Sequence, residues 1–159
     1  MLYGARATGN VTSDVRIGVM NTLTGKNDNN ANLSQTAVAA QKRFGLSNVQ
    51  ALFTNQQSFG GIDPNAESNS SNASLEGLFK SDDGQKSLWA GVHQSFKEGI
   101  SDQTGFYNLG GQFQNADWNF STDFIYAQEN YFTDLGFNLR VENFDAVRDT
   151  VIRLSLIHI

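Results

Sequence analysis

Apolar and polar residues alternate by two along most of this chain, and a sustained apolar stripe at helical spacing is hard to find. One set of alternate positions is apolar: Val15, Ile17, Val19; Val38, Ala40, Phe44; Val49, Ala51, Phe53; Ala73, Leu75, Phe79. The same pattern returns in Leu88, Ala90, Val92, Phe96, then Tyr107, Leu109, Phe113, then Trp118, Phe120, Phe124, Tyr126. The intervening positions carry Gln41, Gln50, Thr54, Ser74, His93, Gln112, Asn119 and Ser121, with Arg16, Arg43, Glu76, Lys80, Asn108 and Asp123 as the polar groups that would face a wet lumen. Lys42 and Gln94 interrupt the apolar set. Beside a short turn, the stem of Lys42 can follow apolar surface while its ammonium reaches headgroups. Gln94 fits only near an outer rim.

Compact polar turns punctuate this alternation at Thr12-Ser13-Asp14, Gly45-Leu46-Ser47-Asn48, Asp82-Asp83-Gly84-Gln85 and Asn115-Ala116-Asp117. They recur roughly every 35 residues, which leaves room for two strands per repeat and not the four of a propeller blade. Between them lie longer polar stretches, Thr22 to Ser34, Gln57 to Ser71, Lys97 to Gly105, and Gln128 to Gly136. Short and long connections therefore alternate, and in a meander they gather at opposite ends. Strands so bounded are about 9 to 11 residues, the length that crosses a bilayer at a tilt. The pattern predicts an all-β, antiparallel up-and-down meander of about 8–10 long strands, part of a transmembrane β-barrel with short turns at one end and long loops at the other. Val141 to Leu154 reads as a further strand pair or a loop.

Aromatic placement agrees with that reading. Phe44, Phe79, Phe113 and Trp118 lie near short turns on the apolar set and would form one interfacial girdle. Phe53, Phe96, Tyr107 and Tyr126, toward the long connections, would form the other. The alternative covers the apolar face with a second sheet, as in a soluble β-sandwich glycan-binding module whose Phe59, Tyr107 or Tyr131 stacks on sugars. A slice of a nutrient-receptor barrel, with a plug domain upstream, is a third reading.

Composition narrows the function classes. The 159 residues carry 11 Lys and Arg against 16 Asp and Glu, a formal charge of −5, so no basic footprint for nucleic acid exists. The absence of cysteine removes disulfides, thiolate metal sites and a cysteine nucleophile, and suits an oxidising compartment. With 12 Phe and 15 Gly but a mean hydropathy of −0.38, the chain has the average expected when lipid-facing and lumen-facing residues cancel.

Candidate chemistry is sparse. Only His93 and His158 are available, too few for a histidine metal cluster. His93 with a serine and an aspartate would make a hydrolytic triad, but a lumen-facing or rim histidine is the simpler reading. No spacing fixes a carboxylate pair for glycoside hydrolysis. Lys26-Asn27-Asp28-Asn29-Asn30 and Asp82-Asp83-Gly84 share calcium-loop composition without EF-hand spacing. Gly60-Gly61 and Gly110-Gly111 lack the strand-to-helix context of a phosphate loop. The expectation is a structural protein, not an enzyme, with no cofactor and no metal.

Tyr3-Gly4-Ala5-Arg6-Ala7-Thr8-Gly9, followed by Ile17-Gly18-Val19-Met20-Asn21, resembles the opening hairpin of an uncharacterised family of outer-membrane β-barrels. In that family the barrel follows a domain similar to carbohydrate-binding module family 9. Asp134-Leu135-Gly136-Phe137-Asn138-Leu139-Arg140 looks like its Asp-x-Gly-Phe-x-x-Arg signature, carried here by Asp134, Gly136, Phe137 and Arg140. The likeness runs from Leu2 to about Leu154. It implies a bacterial outer-membrane location in a Gram-negative cell, lipid and the remainder of the same chain as partners, and an association with glycan handling. Residues 1–154 are accordingly read as a fragment of a barrel domain, and Ser155-Leu156-Ile157-His158-Ile159 as an artefactual tail outside the pattern.

Overall fold

In a computed structural model the chain forms one antiparallel sheet of nine strands in simple sequence order. The structure describes residues 3–25, 32–59 and 69–132, and the backbone of 148–156. The strands are β1 (Tyr3–Asn10), β2 (Val15–Thr24), β3 (Asn32–Phe44), β4 (Ser47–Phe59), β5 (Ser70–Lys80), β6 (Lys86–Lys97), β7 (Gly105–Gln114), β8 (Trp118–Ala127) and β9 (Arg148–Leu156). Each pairs with the next, so β1 and β9 are the two edges. The expected meander is present, and helix is absent among the described residues.

The pleat carries the alternation into register. Directly paired residues share a face, and Ile17, Ala40, Ala51, Leu75, Val92, Tyr107 and Tyr126 align across β2 to β8. One residue along each strand, Arg16, Gln41, Gln50, Glu76, Gly91, Asn108 and Ile125 align on the opposite face. A slip of a single residue would exchange the two sets, so the side-chain pattern and the register specify each other.

Local chemistry closes the short connections. Between β3 and β4 the loop is only Gly45-Leu46, with Gly45 at φ 61°, the glycine-first arrangement of a type II′ hairpin. Between β7 and β8, Asn115 Oδ1 accepts from the backbone N–H of Asp117 at 2.9 Å and of Trp118 at 2.7 Å, an Asx turn. Thr12 donates to Asp14 at 2.6 Å in the first turn, and Ser81 donates to Asp83 at 2.5 Å in the third.

Two details depart from expectation. Strands run from 8 to 13 residues, and β3 and β4, at 13 each, extend into stretches read as loop. The backbone ladder does not require apolar side chains, and polar cross-strand pairs continue it: Gln35 donates to Gln56 at 2.8 Å, Asn21 to Thr36 at 2.8 Å and Asn55 to Ser71 at 2.8 Å. Beyond β8, a single strand, β9, occupies part of the segment that the sequence leaves as a strand pair or loop, and it takes in Ser155 and Leu156.

The sheet has no second layer among the described residues. Twenty-two large apolar side chains are exposed by 36 to 62 %, and the largest side chain below 2 % exposure is that of Ser95.

Candidate functional site: two chemically opposite faces

One face is a continuous apolar surface. Ile17, Val19, Val38, Phe53, Leu75, Leu88, Val92, Leu109, Phe120 and Phe124 all stand on it, each exposed by 40 to 52 %. Phe44, Phe79, Phe113 and Trp118 share this face at the end of the short turns. The rings of Phe44 and Phe79 are 6.0 Å apart, and Phe113 pairs directly with Phe120. Lys42 lies in the same end of the face, opposite Val15 and Val49. At the other end, Tyr107 stacks on Tyr126 with centroids 6.2 Å apart.

The apolar face ends in a polar border. Asn21, Thr36, Asn55 and Ser71 align across β2 to β5, and the Tyr3 hydroxyl donates to Asn21 Oδ1 at 2.9 Å. Gln94, which the sequence admits only near an outer rim, lies at this same rim: it pairs with Gly105 at the start of β7, and its amide donates to the Thr104 hydroxyl.

The opposite face carries Arg16, Arg43, Glu76, Lys80, Asn108 and Asp123, but they do not form one cluster. Arg16, Arg43 and Lys80 are exposed near the short turns, and the first two line a shallow hollow of about 360 Å³ with Asn10, Ser13 and Asp14. Glu76 sits mid-strand, accepting from Gln50 at 2.5 Å, with His93 Nε2 3.2 Å from its other oxygen. Asp123 accepts from the Trp89 indole N–H at 2.9 Å. That bond crosses β7 at Gly110, which pairs with both residues; a Cβ there would lie 2.6 Å from Asp123 Oδ1. Asn108 Oδ1 is buried and has no hydrogen-bond partner among the described residues.

Sequence reasoning missed the apolar members of this face. Trp89, Phe106, Leu52, Leu78 and Ile125 all occupy it. The signal was present in position parity, yet the run Leu88-Trp89-Ala90 hides it, because both faces are apolar at that point. It missed a local fold as well. Residues 128–132 double back over the end of β6 and β7: Gln128 N–H donates to Gly105 at 2.9 Å and Asn130 N–H to Gln103 at 2.9 Å. Tyr131 then packs on Phe106 at 5.3 Å, Phe106 meets His93 edge-on at 5.0 Å, and Lys97 lies 5.3 Å over the Phe132 ring. Burial, aided by the negative charge of Glu76, holds the Tyr131 phenol above its ordinary value.

Of the aromatics considered for sugar stacking, Tyr131 is therefore packed inward, Tyr107 is engaged with Tyr126, and Phe59 is 48 % exposed. No group of three or more metal-binding side chains exists among the described residues. Asp134, Gly136, Phe137 and Arg140 lie outside the described residues. Comparison with protein-family models, with curated proteins and with solved structures gave no match.

Proposed function

We propose that these strands are a wall segment of a bacterial outer-membrane β-barrel, with the apolar face toward hydrocarbon and the polar face toward a hydrated lumen. The observation that carries the reading is an apolar face that, among the described residues, is uncovered, on a sheet without an apolar core among them. Fifteen or so half-exposed side chains, at roughly 1 kcal/mol apiece, amount to as much as the entire net stability of a typical domain, about 5–15 kcal/mol. A chain that folds in water covers such a face; a chain that folds in lipid leaves it bare. No helix among the described residues is long and apolar enough to cross a membrane, which leaves crossing by strands untouched. In this reading the short turns face the periplasm, the long connections face outward, and the aromatics near the short turns sit at headgroup level. The role is structural: lipid and the rest of the barrel are the partners, and no cofactor takes part.

The chain's two tryptophans supply a direct test, because they stand on opposite faces. Trp118 is 50 % exposed on the apolar face, while Trp89 is bonded to Asp123 on the other. After refolding into vesicles of brominated phosphatidylcholine, the Trp89→Phe variant, which retains Trp118, is expected to be quenched. The Trp118→Phe variant, which retains Trp89, is expected to resist quenching. Equal quenching of the two, or a monodisperse chain that stays in detergent-free buffer, overturns the proposal.

A further inference from the structure

The short-turn end of the polar face holds two arginines side by side without a counter-charge. Arg16 on β2 pairs across the sheet with Gln41, and Arg43 lies two residues further along β3, so the two are diagonal neighbours on one face. The Arg43 N–H donates to the Asp14 carbonyl at 2.8 Å, which ties the ends of β2 and β3 together at this point. Both side chains are exposed, and neither guanidinium makes an ion pair or a hydrogen bond among the described residues. The acids of the same face differ: Glu76 is engaged by Gln50 and His93, and Asp123 by Trp89. Like charges held side by side oppose strand pairing, so sheet stability does not account for the pair.

The space beside them suits an anion. Arg16 and Arg43 line a hollow of about 360 Å³ whose other walls include Asn10, Ser13 and Asp14. Small-molecule sites span about 300–1,000 Å³, so the hollow has the capacity for a small solute. Asp14 is the acid of that lining, and its carboxylate is already engaged, accepting from the Thr12 hydroxyl at 2.6 Å. Each guanidinium offers a planar fork of N–H donors. One fork satisfies both oxygens of a carboxylate, whereas a dianionic phosphate group presents three terminal oxygens and two charges, which matches two forks. Asn10 and Ser13 are uncharged and suit a polar, neutral substituent on that phosphate.

We infer that this hollow binds the phosphate group of a small phosphomonoester, with Arg16 and Arg43 as the two forks that hold it. The site depends on the register of β2 with β3 and not on what covers the apolar face. Within the membrane reading it opens on the lumen at its periplasmic end, on the face turned away from lipid.

A phosphate group reaches such a site either from solution or on a phospholipid headgroup, and one titration separates the two. The full chain, refolded in maltoside micelles that carry no phosphate, is titrated with inorganic phosphate and with ethyl phosphate at constant ionic strength. At about pH 8 both probes are dianions, because the second ionisation of a phosphate lies near about pH 6. The guanidinium Nε–H resonances of Arg6, Arg16 and Arg43 are followed by NMR. Arg6 is the internal control, since it stands on the same face of β1, opposite Met20 and outside the hollow. Saturable shifts at Arg16 and Arg43, with none at Arg6, are expected. Arg16→Gln and Arg43→Gln are each expected to weaken binding by about tenfold or more, the loss of a charge-assisted contact. Arg6→Gln is expected to leave binding unchanged, and Asp14→Asn to tighten it. Shifts that grow without saturation, or that Arg6 shares, mean an adventitious ion only and overturn the inference, as does binding that survives both glutamine substitutions. A response to phosphatidic acid in the micelles without any response to the soluble probes overturns it as well, because it assigns the arginines to headgroups. Should the chain stay monodisperse without detergent, the same titration runs in buffer, so the membrane reading can fail while the anion site stands, and the reverse.

Discussion

Gly110 exists as a gap through which the Trp89 indole reaches Asp123. Gly110→Ala places a methyl where the bond runs, and the cost of overpacking is about 1–3 kcal/mol, read as a lower denaturation midpoint of the refolded chain with Trp89 fluorescence shifted. In the turns, the hydroxyls of Thr12 and Ser81 hold the Asp14 and Asp83 carboxyls below their ordinary value of 3.8. A depressed carboxyl stabilises the fold above the unfolded value and ceases to do so as pH falls through the folded one. Acid loosening of these turns is thus expected only below pH 3.8, and Asp83→Asn is expected to remove the third turn's share of that acid dependence, as followed by the amide resonance of Gln85. Tyr131 behaves in the opposite sense. Its raised phenol stabilises the packed segment fully below about pH 10 and loses that effect as pH rises through the folded value. Alkaline titration of the tyrosinate absorption band in wild type against Tyr131→Phe is expected to show one late-titrating tyrosine that the variant lacks.

At the scale of the strand, face assignment is the consequential feature. Val92 stands midway along β6 on the apolar face, between Leu75 and Tyr107, and is 50 % exposed. Val92→Arg is expected to cost about 2–4 kcal/mol near a bilayer midplane and to block assembly into vesicles. Ser121→Arg, on the opposite face of β8, is expected to assemble as wild type does, with both outcomes read as the heat-modifiable fraction by electrophoresis. If the two variants assembled equally well, the assignment of faces would be wrong. The polar border from Asn21 to Ser71 also explains why β3 and β4 outrun the apolar band: their far ends pair through amides and hydroxyls suited to water or headgroups.

Among the described residues the molecule is a sheet with two unpaired edges and one bare apolar face. Each feature alone invites association, and together they predict that the chain aggregates in buffer and disperses on transfer to detergent, with its β-sheet circular dichroism retained. Light scattering with and without detergent measures this.

The sequence by itself determined the run of strands as far as β8, their continuous apolar face and the ends at which short and long connections gather, while it left the segment that holds β9 open. Each follows from local rules: side chains alternate along extended backbone, and tight turns need Gly, Asn, Asp or Ser at given places. The faces of Ile17, Val92 and Phe124, and the four short turns, were legible for that reason. Only the tertiary structure decided that β3 and β4 run on into polar stretches, that Trp89 joins Asp123 across Gly110, and that residues 128–132 fold back to set Tyr131 on Phe106 and near His93. These depend on which strands become neighbours and on where a residue remote in sequence arrives, and one-dimensional alternation carries no information about either.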